Sequence, residues 1–318
     1  MSVVDVVLVN WNSDNRLLDC LKSIRPLMYS VGSLVVVDNS STDDSLARIE
    51  GLDLPTKIIR NSRNRGFATA CNQGAAEGSS GYLLFLNPDT RLYENSLVVP
   101  LAFMERVENA RIGICGVQLV DELGKTCLSY AKFPSLRNFV CHAVGIDKFL
   151  GREAGDRHVL LETEGIRVVD QVTGAFFVVR RSVFEQLGGF DERFFVYFEE
   201  VDFALRAHQK GWVSVCLTGV RCVHIGGGSS RQVKAARLFY SLRSRVLYGF
   251  KHFSLGSAIA LLVVTLGIEF LGRSVYTLAR GLWREWGYVV RGYSMLIGDC
   301  PSIIKSAIEM RDRGGRGQ

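Results

Sequence analysis

No two of the eight cysteines form a CxxC pair, and none stands in a zinc-like cluster with histidine. Cys20, Cys71, Cys115, Cys127, Cys141, Cys216, Cys222 and Cys300 are scattered, several of them inside apolar runs. They read as reduced, mostly buried thiols, which excludes a disulfide scaffold and a structural zinc site. Internal repeats and low-complexity tracts are absent too. With 47% hydrophobic and 22% charged residues, the 318-residue chain has ordinary globular composition, which excludes wholesale disorder. Its start, MSVVDVVLVNW, has no basic segment and carries Asp5 inside the apolar run, so a buried strand is expected there rather than a signal peptide. A cytosolic protein follows as the expectation.

An excess of positive charge is missing where a nucleic-acid-binding domain would need it. The net charge is +6, yet from Arg231 onward there are fourteen Lys or Arg against five acids. That tail is +9, which leaves residues 1–230 at −3 and argues against nucleic acid as a partner. A long hydrophobic run is missing as well. Between His252 and Glu269 there are sixteen uncharged residues, short of the roughly 20 that cross a bilayer. Basic flanks and the aromatic residues Trp283, Trp286, Tyr288 and Tyr293 favour a helix group lying at a membrane interface.

What is present is a β/α alternation. Val3–Val9, Leu34–Val37, Lys57–Arg60 and Tyr82–Leu86 read as strands of a mostly parallel sheet, with Leu17, Leu18, Leu21, Ile24 and Leu27 at helical spacing after the first. Ligands of such sheets sit at the carboxyl ends of strands, where this chain has Asn10, Asp38 and Asp89. Two carboxylates there suit a phosphate-rich ligand held through a metal; Asp43 and Asp44 read as helix caps instead. Ile112–Val120, Val168–Arg180 and Val213–Val223 are strand-like, and 121–167 is either an acceptor-recognition lid or a structural hairpin and loop.

A helix is expected from about Glu199 to Lys210, ending at Gly211. Glu199, Asp202 and Arg206 share a face, so Asp202 and Arg206 read as an ordinary i,i+4 ion pair. Glu200 lies about 100° round from Glu199, beside the stripe Val201, Ala204, Leu205, where partial burial suits a general base. His224 precedes Gly226–Gly228, whose missing side chains let backbone pass close to a bulky ligand, and its imidazole can complete a metal site begun by a carboxylate.

The segments VVLVNWNS, VVVDNSSTDDS, NRGFATACNQG, YLLFLNPDT, VTGAFFVVRRSVFEQLGGFDERFFVYFEEVDFALRAHQKGW and VHIGGGS occur in this order and spacing. Together they resemble glycosyltransferase family 2, most closely its rhamnosyltransferase-like branch, over about residues 3–250. The resemblance implies a GT-A fold over 1–235, followed by a basic, apolar helical region over 236–318. It implies a nucleotide-sugar donor, with Asn10 and Asp38 at the base and ribose and Gly66 and Asn72 shaping that pocket. Asn87-Pro88-Asp89 stands where the family has its DxD motif, so Asp89 and His224 would hold Mg²⁺ or Mn²⁺ on the diphosphate. Glu200 matches the family's general base. Asn87 departs from the pattern, because an amide is a weaker ligand for a hard cation.

One base and one metal, without a carboxylate nucleophile, imply inversion and transfer to a glycan or lipid-linked acceptor in cell-surface polysaccharide synthesis. The expected setting is peripheral, at the cytoplasmic face of the membrane. A nucleotidylyltransferase would need a glycine-rich phosphate loop after the first strand, and VNWNSDN has no glycine. A non-catalytic sugar-nucleotide-binding subunit is the other alternative, disfavoured by intact Asp89, Glu200 and His224.

Overall fold

A computed structural model describes residues 3–145, 161–163, 165–226 and 233–314. The strands are β1 (Val4–Asn10), β2 (Val31–Asp38), β3 (Lys57–Arg60), β4 (Tyr82–Leu86), β5 (Thr90–Leu92), β6 (Ile112–Val120), β7 (Tyr130–Ala131), β8 (Leu161–Thr163), β9 (Ile166–Val169), β10 (Gln171–Val172), β11 (Phe176–Arg180) and β12 (Val213–His224). Ten form one sheet in the order β3-β2-β1-β4-β11-β6-β12-β9-β8, with β5 paired to β12. β7 and β10 form a small second sheet.

The expected parallel arrangement holds for β3-β2-β1-β4 and for β6-β12. Between them β11 runs antiparallel to both β4 and β6, and β5 and β9 pair antiparallel with β12. The stretch read as one strand, 168–180, is therefore three: β9 ends, β10 joins the small sheet, and β11 enters the centre of the large one.

Every residue of β1 and of β4 is buried, as a strand covered on both faces requires. Asp5 survives within β1 because its carboxylate accepts hydrogen bonds from Ser80 N (2.9 Å) and Oγ (2.7 Å) and pairs with Arg181 at 2.7 Å. Burial pushes its pKa up, but these partners outweigh it and leave the group below its ordinary value. The helix Phe67–Ala75 packs closely on the sheet through Gly74, where an added Cβ would meet Val7 Cγ1 at 2.4 Å. All eight cysteines are free, and Cys20, Cys71, Cys115, Cys216 and Cys222 are buried, as expected.

Part of the segment 121–167 is a turn stapled by Asp121, then β7, then a helix Leu136–Ala143 capped by Ser135, whose Oγ accepts from Asn138 N. Residues 146–160 and 164 within it, and Gly227, Gly228 and Arg231, lie outside the described residues.

The chain divides into two compact units. The first holds the large sheet and the helices Arg16–Ile24, Phe67–Ala75, Asn95–Glu105 and Glu199–Gln209. The second takes the described residues within 134–156, 193–198 and 230–318, so it differs from a single cut near 235 by two excursions. In this unit the helix Lys234–His252 holds the segment 193–198. Arg243 donates to Arg193 O (2.8 Å), Ser244 Oγ donates to Val196 O (2.8 Å), and Phe195 stacks on Tyr240 at 4.4 Å. Tyr197 and Phe198, at its end, both have φ of 68°, a strained conformation for bulky residues.

The tail differs from expectation. Helix Leu255–Val264 passes through a π turn, Thr265–Glu269, into helix Phe270–Ala279. The result is a 25-residue helical run, Leu255–Ala279, long and apolar enough to cross a membrane by length and composition. Glu269 does not end it, because Arg245 and Arg273 both pair with its carboxylate. Leu255, Ile259, Val263, Ile268, Leu271 and Val275 are exposed along this run. They recur at steps of three or four except across the π turn, where the extra residue makes the step five and returns Ile268 towards the same face.

Candidate active site

The side expected to meet the donor is built from the ends of the parallel strands. Asn10 and Asp38 are register partners at the ends of β1 and β2, and Asn10 Nδ2 donates to Asp38 Oδ1 at 2.8 Å. Asn10 is fully buried, and its amide also donates to Ser41 Oγ (3.1 Å) and Ser45 Oγ (2.9 Å) while its oxygen accepts from Ser13 Oγ. Asn10 therefore works from beneath, fixing Asp38 and the serine loop. Asp38 accepts in addition from Ser41 N (3.1 Å) and Ser41 Oγ (2.5 Å).

The two loops above are joined by Asn12, whose Oδ1 accepts from Thr42 N at 2.7 Å. Asn12, Asp14 and Ser40 all have positive φ.

Gly66 has φ of 89°, open only to glycine, and its carbonyl accepts from Asn39 Nδ2 at 3.0 Å. Sequence reasoning missed Asn39. It is 2% exposed, and its Oδ1 accepts from Asn61 Nδ2 (2.9 Å), so it ties the end of β2 to the segment leading into Gly66. The signal available was an asparagine directly after the strand-end aspartate. Asn72 stands elsewhere than expected. Its amide exchanges two 2.9 Å hydrogen bonds with the backbone of Phe190 and a third with Glu192 (3.1 Å), so it pins the Gly188-Gly189 turn.

At the end of β4, Asn87 begins a turn whose carbonyl accepts from Thr90 N (3.2 Å) and Thr90 Oγ1 (2.7 Å). That turn presents Asp89. β5 then pairs with β12, placing Thr90 opposite His224, and Ile225 N donates to Asp89 O at 3.0 Å. His224 Nε2 comes to 3.4 Å from Asp89 Oδ1. Burial alone would push the Asp89 carboxyl up; the hydrogen bond to the His224 imidazole overrides it, Arg16 adds to the effect, and the carboxyl stays below its ordinary value. A carboxylate kept ionised beside an imidazole is a donor pair whose chemistry fits a divalent cation. Among the described residues no group of three or more His, Cys, Asp or Glu could hold a metal alone.

The helix Glu199–Gln209 starts with two adjacent carboxylates. Glu200 is half-buried, and its carboxylate lies against Gly174, where an added Cβ would stand 3.5 Å from Glu200 Cδ. Desolvation raises its pKa, and backbone N–H groups of Glu200, Val201 and Gly174 only partly oppose that. A carboxylate of this kind is a stronger base than a surface one. Glu199, expected to share a face with Asp202 and Arg206, is 4% exposed, with its pKa raised well above the ordinary value by burial and by Glu200.

Asp202 is fully buried and pairs with Arg206 at 2.8 Å, and Arg206 continues to Leu187 O (2.7 Å) and Gly189 O (2.9 Å). Asp202 thus supports the same turn that Asn72 pins. The stripe expected beside Glu200 shifts: Val201 and Ala204 are buried, Leu205 is only half-buried, and Phe203 is the core residue. Gly211, at φ 82°, ends the helix as expected.

The profile of the family "Glycosyl transferase family 2" matches residues 5–188, and that of "Glycosyl transferase family group 2" matches 155–298. The chain is 28% identical over 260 residues to N-acetylglucosaminyl-diphospho-decaprenol L-rhamnosyltransferase of Mycobacterium tuberculosis, across 77% of this chain and 83% of that protein. It is 29% identical over 170 residues to rhamnosyltransferase WbbL of Escherichia coli, across 52% and 61%.

Mannosyltransferase PcManGT of Pyrobaculum calidifontis, solved with GDP-Man and Mn²⁺, superposes with a TM-score of 0.55 at 15% identity over 94% of this chain and 88% of that one. GalNAc-T7, solved with UDP, GalNAc and Mn²⁺, gives 0.57 at 16% identity over 79% of this chain and 48% of that one. The fold is GT-A, with a mixed sheet and C-terminal helices. The chain belongs to glycosyl transferase family 2, as a glycosyltransferase of the rhamnosyltransferase-like branch.

Proposed function

We propose that this enzyme transfers a sugar, L-rhamnose in the reading its relatives favour, from a nucleoside-diphosphate donor to a glycan or lipid-linked acceptor, with inversion, in cell-surface polysaccharide synthesis. The observation that carries the mechanism is the desolvated Glu200 carboxylate beside Gly174, which combines raised basicity with a neighbour too small to screen it. In the reaction an acceptor hydroxyl attacks the anomeric carbon, its proton passes to Glu200, and the bond to the diphosphate oxygen breaks with the electron pair leaving on the diphosphate. Glu199, the adjacent carboxylate, is sealed from a sugar by burial. A single displacement follows, and it inverts the anomeric centre.

Asp89 and His224 would hold Mg²⁺ or Mn²⁺, which when bound neutralises charge on the departing diphosphate. Asp38, fixed by Asn10 and Ser41, would meet the nucleoside, with Gly66 shaping that pocket, and Asn72 would act by holding the Phe190 turn. The exposed apolar face of 255–279 and its basic neighbours Arg280, Arg284 and Arg291 support a peripheral contact with the cytoplasmic leaflet, where a lipid-linked acceptor would be found.

The test is transfer by purified protein from a panel of nucleotide sugars, with the anomeric configuration of the product read by NMR. Inverted product from one donor supports the reading; a retained configuration overturns the single displacement.

A further inference from the structure

Resting on the donor reading above, we propose that Arg16 is a second cation of the donor site, one that binds the diphosphate directly and adds positive charge where the amide of Asn87 weakens the hold on a metal ion.

The helix Arg16–Ile24 runs beneath the turn that presents Asp89. One helical turn beyond Arg16, the thiol of Cys20 lies 3.8 Å from Asn87 O and 3.5 Å from Thr90 Oγ1, so this face of the helix is packed against the Asn87–Thr90 turn. Arg16 is close enough to Asp89 to help hold its carboxyl ionised. Even so, its Nη1 is buried and has no hydrogen-bond partner.

Buried guanidinium N–H groups are normally satisfied, because their desolvation is costly when they are not. A nearby arginine shows the contrast. Arg48 reaches the same helix start through Asn15 Oδ1 at 2.7 Å, but its guanidinium is also bound to Asp44 at 2.9 and 2.5 Å. Arg48 is committed within the protein, whereas Arg16 keeps a donor aimed at no acceptor of its own chain.

The charge inventory points the same way. Where a DxD motif supplies two carboxylates, this turn supplies one, and beside it stand an imidazole and a guanidinium. Such a site holds an isolated dication weakly, and it suits an anion that arrives with its cation. A planar guanidinium matches phosphate oxygens in geometry and stays charged at every working pH. During transfer the anomeric C–O bond breaks, the electron pair remains on the β-phosphate oxygen, and Arg16 would stabilise that charge through its N–H donors with no proton changing hands.

Calorimetric titration of full-length wild type, R16Q and R16K with UDP, GDP and dTDP, and with the matching nucleosides, in Mn²⁺ and in chelator, tests this. R16Q is expected to bind the preferred diphosphate roughly ten- to a hundredfold more weakly, with and without metal, while nucleoside binding and the ligand-free melting temperature stay unchanged. R16K should recover part of the loss. Unaltered diphosphate binding by R16Q overturns the proposal, as does an equal loss for nucleoside together with a lower melting temperature, which would make Arg16 structural. A wild type that binds none of the diphosphates would sink the donor reading itself.

Discussion

Asp202→Asn separates support from chemistry on the helix that carries the proposed base, Glu200. Asp202 has no exposed surface, and its partner Arg206 is about one-fifth exposed and anchored to two backbone carbonyls. Breaking one side of a buried pair costs about 3–5 kcal/mol. Asparagine keeps the shape and one acceptor, and Arg206 keeps its carbonyls and some water, so we expect a loss of about 2–3 kcal/mol, below most of that range. For a domain of this size that lowers the melting temperature by roughly 4–12 °C. Differential scanning calorimetry reads the shift. Donor turnover, measured well below both melting temperatures and expressed per folded molecule, should change little. A variant that melts like wild type yet loses turnover would refute the reasoning and move the catalytic role from Glu200 to Asp202.

Asp89→Ala should abolish the extra thermal stabilisation that Mn²⁺ or Mg²⁺ gives to the nucleoside-diphosphate complex; equal stabilisation in metal and chelator for the wild type would remove the cation from the mechanism. Glu199→Gln should become increasingly stabilising, relative to wild type, as pH rises. The folded Glu199 pKa lies above the ordinary value, so wild type loses stability as pH climbs from the unfolded pKa through the raised folded one, and a glutamine does not titrate. Chemical denaturation at pH 5 and pH 8 checks it, and a constant difference between them would show Glu199 is not strained by its charge. Val275→Asp, at an exposed position of the 255–279 face, should release protein from membrane fractions without lowering its melting temperature. Unchanged partition would argue against this face as the membrane contact.

Much of the first unit could be read in the sequence because its signals are local. The β-branched runs of β1 and β2, the strand-ending Asn87-Pro88-Asp89, and Gly211, which closes the helix Glu199–Gln209, each act within a few residues. The Asp202–Arg206 pair was legible for the same reason, since i,i+4 spacing fixes both ends. What stayed hidden depends on partners far along the chain. β11 runs antiparallel in the centre because it pairs with β4 and β6, from about 90 and 60 residues earlier. Asn72 resembles a pocket residue until Phe190, 118 residues on, takes its amide. Glu269 resembles the end of an apolar run until Arg245 and Arg273 pair with it, after which the helix continues. Burial of Glu199 likewise follows from tertiary packing that helical periodicity does not determine.

The central claim is that Glu200 is the general base. The most direct measurement is the transfer rate of Glu200→Gln against pH, alongside its affinity for the donor. Glutamine keeps size and hydrogen bonding and removes basicity. Turnover is predicted to fall by about a hundredfold or more with donor affinity unchanged. The wild-type rate should decline as pH drops through the raised Glu200 pKa, above the usual carboxylate range, and that limb should vanish in the variant. Full turnover in Glu200→Gln with the acidic limb intact would contradict the account.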